Sequence, residues 1–204
     1  TVSISGNNCT GSVLTSTSDS LSTTSISWYL NQSLISQPIA SYQPQPNAAG
    51  SKSIGNGLNQ FSDPYGLAVD ASGALYIADR NNDRVMKYNP GATSGIIVAG
   101  NGTAGSGLNQ LNHPSNIFID VHDNLYVLDD LNNRVMKYTP GATSGTIVAG
   151  GNGFGNAANQ IYGANDIFVT SNGDVYVAEY GNNRIQKFDS NGNFIAKWGS
   201  EGHG

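Results

Sequence analysis

The chain has 204 residues, only 11% of them charged, and a net charge of −5. That length allows a substantial core, and the abundance of Gly, Ser, Thr and Asn favours short strands and tight turns over long helices. Six of the nine Lys and Arg residues fall on two recurring positions, so no basic face overlies the pattern and no nucleic-acid partner is expected.

No apolar run approaches the ~20 residues that span a bilayer, and no charged leader with an apolar core opens the chain. The only methionines are Met86 and Met136, and the last residues, from Lys197 to Gly204, read as the run-in to another repeat. The sequence is therefore expected to be part of something longer.

Residues 1–36 carry two expected strands, Val13 to Thr17 and Ser25 to Leu30, with Asn31-Gln32-Ser33 as a turn. Cys9 ahead of the first and Trp28 within the second resemble the first half of an immunoglobulin-like or polycystic-kidney-type sandwich domain of secreted bacterial proteins. A whole sandwich needs about 100 residues, so this is a β remnant at most. Cys9 has no partner in the chain for a disulfide. Residues 37–54, with Pro38, Pro44 and Pro46, read as a linker, either a free tether or a loop packed on the first blade.

From residue 55 the sequence repeats every fifty residues, in segments of about 55–104, 105–154 and 155–204. Gln60, Gln110 and Gln160 correspond, as do Arg84, Arg134 and Arg184. Each copy holds four short apolar runs. In the first these are Gly66 to Asp70, Leu75 to Asp79, Arg84 to Tyr88 and Ile96 to Ala99, rich in the Val, Ile, Leu and Tyr that strands favour. Ser72-Gly73, Asp123-Asn124 and Asn172-Gly173 are expected hairpin turns between the first two strands. Pro90-Gly91, Pro140-Gly141 and Asn191-Gly192 punctuate the last two. Four antiparallel strands per repeat predict an all-β fold, a partial β-propeller of three four-stranded blades.

Three blocks of the first copy, Pro64 to Asp70, Gly73 to Asp79 and Asn82 to Tyr88, resemble the NHL repeat. The second copy repeats them; the third has Ala164 for the proline and Thr170 for the aspartate. The resemblance implies a propeller, usually of six blades, used mainly as a binding platform. Three repeats fall short of the about four blades of the smallest common ring.

Asp79, Asp129 and Glu179 each lie five residues before an arginine. They read either as a carboxylate ring for a cation or as a repeated bond to that arginine or to loop amides; their recurrence in every copy favours the bond. His113, His122 and His203 sit at unrelated positions, so no metal site and no cofactor are expected. Loops before the first strand and between the second and third share one face. There the copies disagree at Tyr65, Gly66 and Arg80 against Asn116, Asp130, Asp166 and Tyr180. Such variation marks either a binding rim or drift of exposed loops. The rim candidates are Tyr65, Arg80, Asn116, Asp130, Asp166 and Tyr180. The expected function is a non-enzymatic binding or scaffold module of an extracellular or cell-surface protein, meeting a protein or glycan ligand. No catalytic residues are assigned. The alternative is a propeller lyase or lactonase whose metal ligands come from further blades.

Overall fold

The computed structural model describes residues 53–199 and two short strands, β1 (Tyr29–Leu30) and β2 (Ser33–Leu34). The chain divides into two compact units, Thr1–Gln45 and Pro46–Gly204. In the first unit β1 and β2 pair antiparallel, Tyr29 opposite Leu34 and Leu30 opposite Ser33. Cys9, Trp28, the expected strand Val13 to Thr17, His203 and the linker up to residue 52 lie outside the described residues.

The second unit contains three antiparallel sheets of four consecutive strands each. Blade 1 comprises β3 (Pro64–Val69), β4 (Leu75–Asp79), β5 (Arg84–Tyr88) and β6 (Ile96–Gly100). Blade 2 comprises β7 (Pro114–Ile119), β8 (Leu125–Asp129), β9 (Arg134–Tyr138) and β10 (Thr146–Gly150). Blade 3 comprises β11 (Ala164–Val169), β12 (Val175–Glu179), β13 (Arg184–Phe188) and β14 (Phe194–Trp198). The expected strands β4 and β5 are met residue for residue. The first strand starts two residues earlier than expected, at Pro64, because the register shifts between Pro64 and Leu67 and the chain re-joins the ladder upstream of that bulge. Pro64 is tolerated as the first strand residue, where its missing N–H interrupts nothing.

The turns are set by residues that accept positive φ. Gly73, Asp123 and Gly173 occupy it in the first hairpins, and Gly91, Gly141 and Gly192 in the last. Between the second and third strands the chain tightens into single 3-10 turns, Arg80–Asn82 and Asp130–Asn132, closed by Asp83 and Asn133 in the left-handed region. Asp and Asn tolerate that conformation better than most side chains.

Side chains alternate between the two faces of each sheet, and the two faces bury against different neighbours. Tyr76, Ala78, Val85 and Ala99 of blade 1 pack with Leu111, Ile117, Leu125, Val127, Met136 and Tyr138 of blade 2. Tyr126, Leu128, Val135 and Ala149 of blade 2 meet Ile161, Ile167, Val169, Val175, Val177 and Phe188 of blade 3 in the same way. Buried aliphatic and aromatic side chains of this size contribute about 1.5–3 kcal/mol each, so the two seams are the main source of cohesion. The first strands approach most closely: a Cβ added at Gly66 would sit 2.5 Å from the Ser115 carbonyl oxygen and 2.9 Å from Asn116 Cα. Glycine is required there because backbone, not a movable side chain, occupies the space.

Candidate binding rim

A repeated clamp builds one end of the blades. Each second strand ends on a buried carboxylate, and the arginine opening the third strand donates to it: Arg84 Nε to Asp79 Oδ2 at 2.8 Å, Arg134 Nε to Asp129 Oδ2 at 2.7 Å and Arg184 Nε to Glu179 Oε1 at 2.9 Å. The same guanidinium reaches back to three carbonyls of the loop that leads into the blade. Arg84 donates to Asn56, Gly57 and Gln60; Arg134 to Ser106, Gly107 and Gln110; Arg184 to Asn156, Ala157 and Gln160. The carboxylate also accepts a loop amide, from Ser62, Asn112 or Tyr162. Of the two sequence readings of these carboxylates, the geometry selects the repeated bond. Among the described residues no group of three His, Cys, Asp or Glu side chains converges.

In blade 3 the longer Glu179 is accommodated by Gln186, which stands where blades 1 and 2 bury Met86 and Met136. Its side-chain amide donates to Glu179 Oε1 at 2.7 Å and to the Gln160 carbonyl at 2.6 Å, so a fully buried polar group is satisfied.

The clamp brings the leading loops and the turns between second and third strands to one end, as the Arg80 amide bonding to Asp63 O and the Asn81 amide to Ser62 O also show. The six candidates from the sequence fall into three groups there. The Arg80 guanidinium lies over the Tyr65 ring at 5.4 Å, pairs with Asp63 at 3.2 Å and reaches Asp130 of the next blade at 3.7 Å. Asn116 Nδ2 donates to Asp166 Oδ1 at 2.8 Å, joining blades 2 and 3. Tyr180 stands apart from both, 65% exposed, its ring over the backbone of Gly163.

Two residues of this rim went unrecognised in the sequence. Phe154 packs edge to face on Tyr162 at 4.4 Å, and Tyr162 lies against Gly181, next to Tyr180. Phe154 is 65% exposed, so blade 3 carries three solvent-facing aromatic rings, two on its leading loop and one on the turn after its second strand. The signal was present: Tyr162 replaces the Ser62 and Asn112 of the other copies, and Phe154 replaces Ile54 and Ala104.

A recess of about 520 Å³ lies at the other end of the blades, between β6 and the turns of blade 2, lined by Tyr76, Lys87, Ile97, Asp123, Tyr138 and Pro140. Burial, reinforced by the charge of Asp129, pushes the Tyr138 phenol up to about 12, so it stays protonated there. His113 lies in the leading loop of blade 2 at the rim end, where its amide caps Asp83 Oδ1; the His122 amide caps Asp120 Oδ1 in the turn at the other end.

The NHL repeat model matches residues 61–88 and 162–188, within the first and third copies. No curated protein matches the chain in sequence. Among solved structures it is similar to XC5397 of Xanthomonas campestris, described as a gluconolactonase, at 13% identity over 71% of this chain and 49% of that one, with a TM-score of 0.53. It is similar also to a chain of a nidogen/laminin complex, at 14% identity over 67% of this chain and 50% of that one, with a TM-score of 0.50. A streptogramin B lyase structure is 19% identical over 70% of this chain and 42% of that one, with a TM-score of 0.47. The chain spans between about four-tenths and half the length of these structures. At such identities the likeness is one of fold: the three four-stranded sheets are propeller blades, and the NHL repeat model matches within the first and third of them.

Proposed function

We propose that these three blades serve as a non-enzymatic binding platform, outside the cell or at its surface, whose aromatic rim engages a protein or glycan. The observation that carries this reading is the group Phe154, Tyr162 and Tyr180, exposed on loops that the arginine clamps hold rigid. Exposed aromatic rings on a fixed scaffold supply contact area at little entropic cost. Tyr65, tethered by Arg80, offers a further ring at the same end of blade 1. The recurring carboxylates favour the same reading, since their oxygens are already taken up by arginine, asparagine and loop amides and not aimed at an open site.

The test is a screen of the chain on immobilised glycans and, in parallel, on immobilised proteins. The best binder is then measured against Phe154→Ala/Tyr180→Ala, with the mass of the assembly recorded in the same samples. The expected result is at least about a tenfold loss of affinity with an unchanged thermal transition. Unchanged affinity, or the absence of any binder, overturns the platform reading. Metal analysis of the protein addresses the lyase or lactonase alternative: a stoichiometric, tightly held Zn or Ca ion would favour the enzyme.

A further inference from the structure

Asn is followed by Gly five times in the chain, at Asn56, Asn101, Asn152, Asn172 and Asn191. Glycine has no side chain to shield its own nitrogen, so that nitrogen can reach the side-chain carbonyl carbon of the preceding Asn. The attack needs a glycine amide free of hydrogen bonds and room for the Asn side chain to fold over it. At three of the five steps the fold denies both. The Gly57 amide donates to Gln60 Oε1 at 3.2 Å, the Gly173 amide to the Thr170 carbonyl at 2.9 Å and the Gly192 amide to the Asp189 carbonyl at 3.0 Å. A Cβ added at these glycines would meet Gln60 Oε1 at 2.9 Å, Ser190 Cβ at 3.0 Å and the Ile147 carbonyl oxygen at 3.2 Å. Gly102 and Gly153 differ on both counts. Neither amide donates a hydrogen bond among the described residues. An added Cβ would meet only the Asn82 carbonyl oxygen, at 3.8 Å, beside Gly102 and nothing within 4 Å beside Gly153. Both steps are exposed.

The Asn side chains separate these last two. Asn152 Nδ2 donates to the carbonyls of Gly150 and Asn159, both at 3.3 Å, so its amide nitrogen is held in place. Asn101 is held by the other atom. Its Oδ1 accepts the Thr103 amide at 3.0 Å, and its Nδ2 makes no hydrogen bond among the described residues. A donor on the carbonyl oxygen draws electrons from Cγ and stabilises the negative charge that this oxygen takes up when a nucleophile adds. The unheld Nδ2 is the group that must depart.

We infer that Asn101 is a site of self-modification, where the chain converts asparagine to aspartate and isoaspartate with water as the only co-reactant. The Gly102 nitrogen gives its proton to solvent and bonds to Asn101 Cγ. The Cγ–Nδ2 bond then breaks, and Nδ2 takes a proton from solvent and leaves as ammonia. The product is a cyclic imide spanning Asn101 and the Gly102 nitrogen. Water opens this ring at either carbonyl. Breaking the new bond to Cγ gives aspartate; breaking the original main-chain bond gives isoaspartate, whose main chain runs through Cβ and Cγ. Both products add one negative charge to the exposed loop between β6 and the clamp carbonyls of Ser106, Gly107 and Gln110. Isoaspartate also lengthens the main chain there by one carbon.

The test keeps the whole chain in mildly alkaline buffer and maps its peptides by mass spectrometry over time, beside a sample held unfolded in guanidinium chloride. Each site's rate in the folded chain is divided by its rate in the unfolded one, which removes the effect of flanking sequence. That ratio is expected to be highest at Asn101, lower at Asn152 and lowest at Asn56, Asn172 and Asn191. Thr103→Pro removes the donating amide from an exposed loop, and is expected to slow Asn101 while leaving Asn152 unchanged. A higher ratio at any other site, equal ratios at all five, or an Asn101 rate that Thr103→Pro leaves unaltered would each overturn it.

Discussion

Arg134 Nε lies 2.7 Å from Asp129 Oδ2, both side chains all but inaccessible to solvent, and the pair recurs once per blade. Its worth comes from the other bonds each partner makes. An isolated buried ion pair barely repays its desolvation, whereas here the guanidinium also satisfies three carbonyls and the carboxylate also accepts from Asn112 and Asn132. One arginine per blade therefore ties strand, turn and leading loop together and sets the position of the rim.

Arg134→Met is expected to destabilise the blades by about 3–5 kcal/mol, because Asp129 is left buried without its cation. Urea unfolding followed by circular dichroism measures this. Arg80→Ala provides the contrast. Its pairs with Asp63 and Asp130 are partly solvent-exposed, so its loss is expected to cost no more than about 1 kcal/mol. Equal costs for the two would contradict the clamp.

Gly66→Ala is expected to destabilise by about 1–3 kcal/mol, the range for overpacking a close contact. The added methyl meets the backbone of Ser115 and Asn116 across the first seam. Gly73→Ala, whose Cβ would have only a proline ring atom at 3.7 Å, is strained by its φ of 82° and not by any neighbour. Thermal melts of the two variants separate crowding between blades from strain within a turn. A Gly66→Ala variant as stable as the parent would show that the first strands have room to part.

Stability is expected to fall in acid, with Asp70 a principal contributor. The Ser72 hydroxyl at 2.6 Å, with the Lys87 ammonium and the amides of Ala74 and Ser72, holds its carboxyl well below the usual carboxylate range, although burial opposes them. Asp120 is shifted the same way, its burial outweighed by bonds from Asn124 and His122. A carboxyl depressed in the folded state contributes fully above its unfolded value, about 3.9. That contribution is lost as pH falls from there through the lower folded value. Asp70→Asn is expected to lower the Tm at neutral pH and to flatten its fall below about pH 4. An unchanged acid limb would remove Asp70 from the account.

Replacing Tyr65 by Ala is expected to leave the Tm within the small range of surface substitutions, about 0.5 kcal/mol, since its ring is exposed and touched chiefly by Arg80. If the rim binds a partner, the same change weakens that binding, as read by titration of the ligand found on the arrays.

Much of the fold was legible because each requirement was local. The apolar runs Leu75–Asp79 and Arg84–Tyr88 and the positive-φ residues at Gly73 and Gly91 are properties of a few consecutive residues. The loss of the aspartate at Thr170 was legible too, though what replaces it was not. Where Thr170 replaces the aspartate, Asp174 takes over the pairing with Lys187 that Asp70 makes with Lys87. Both lysines sit over the tyrosine of the second strand, and the carboxylate that meets each comes from one side of the turn or the other.

By itself the sequence settled the strands, the turns and the recurrence of an acid five residues before an arginine, since these depend on spacing and backbone preference alone. Only the tertiary structure decided which loop carbonyls complete each arginine, that Phe154, Tyr162 and Tyr180 stand together, and which sheet faces are mated. Those facts depend on packing between residues that are not neighbours in the sequence, where local backbone preference does not act and the burial of apolar surface selects the partner.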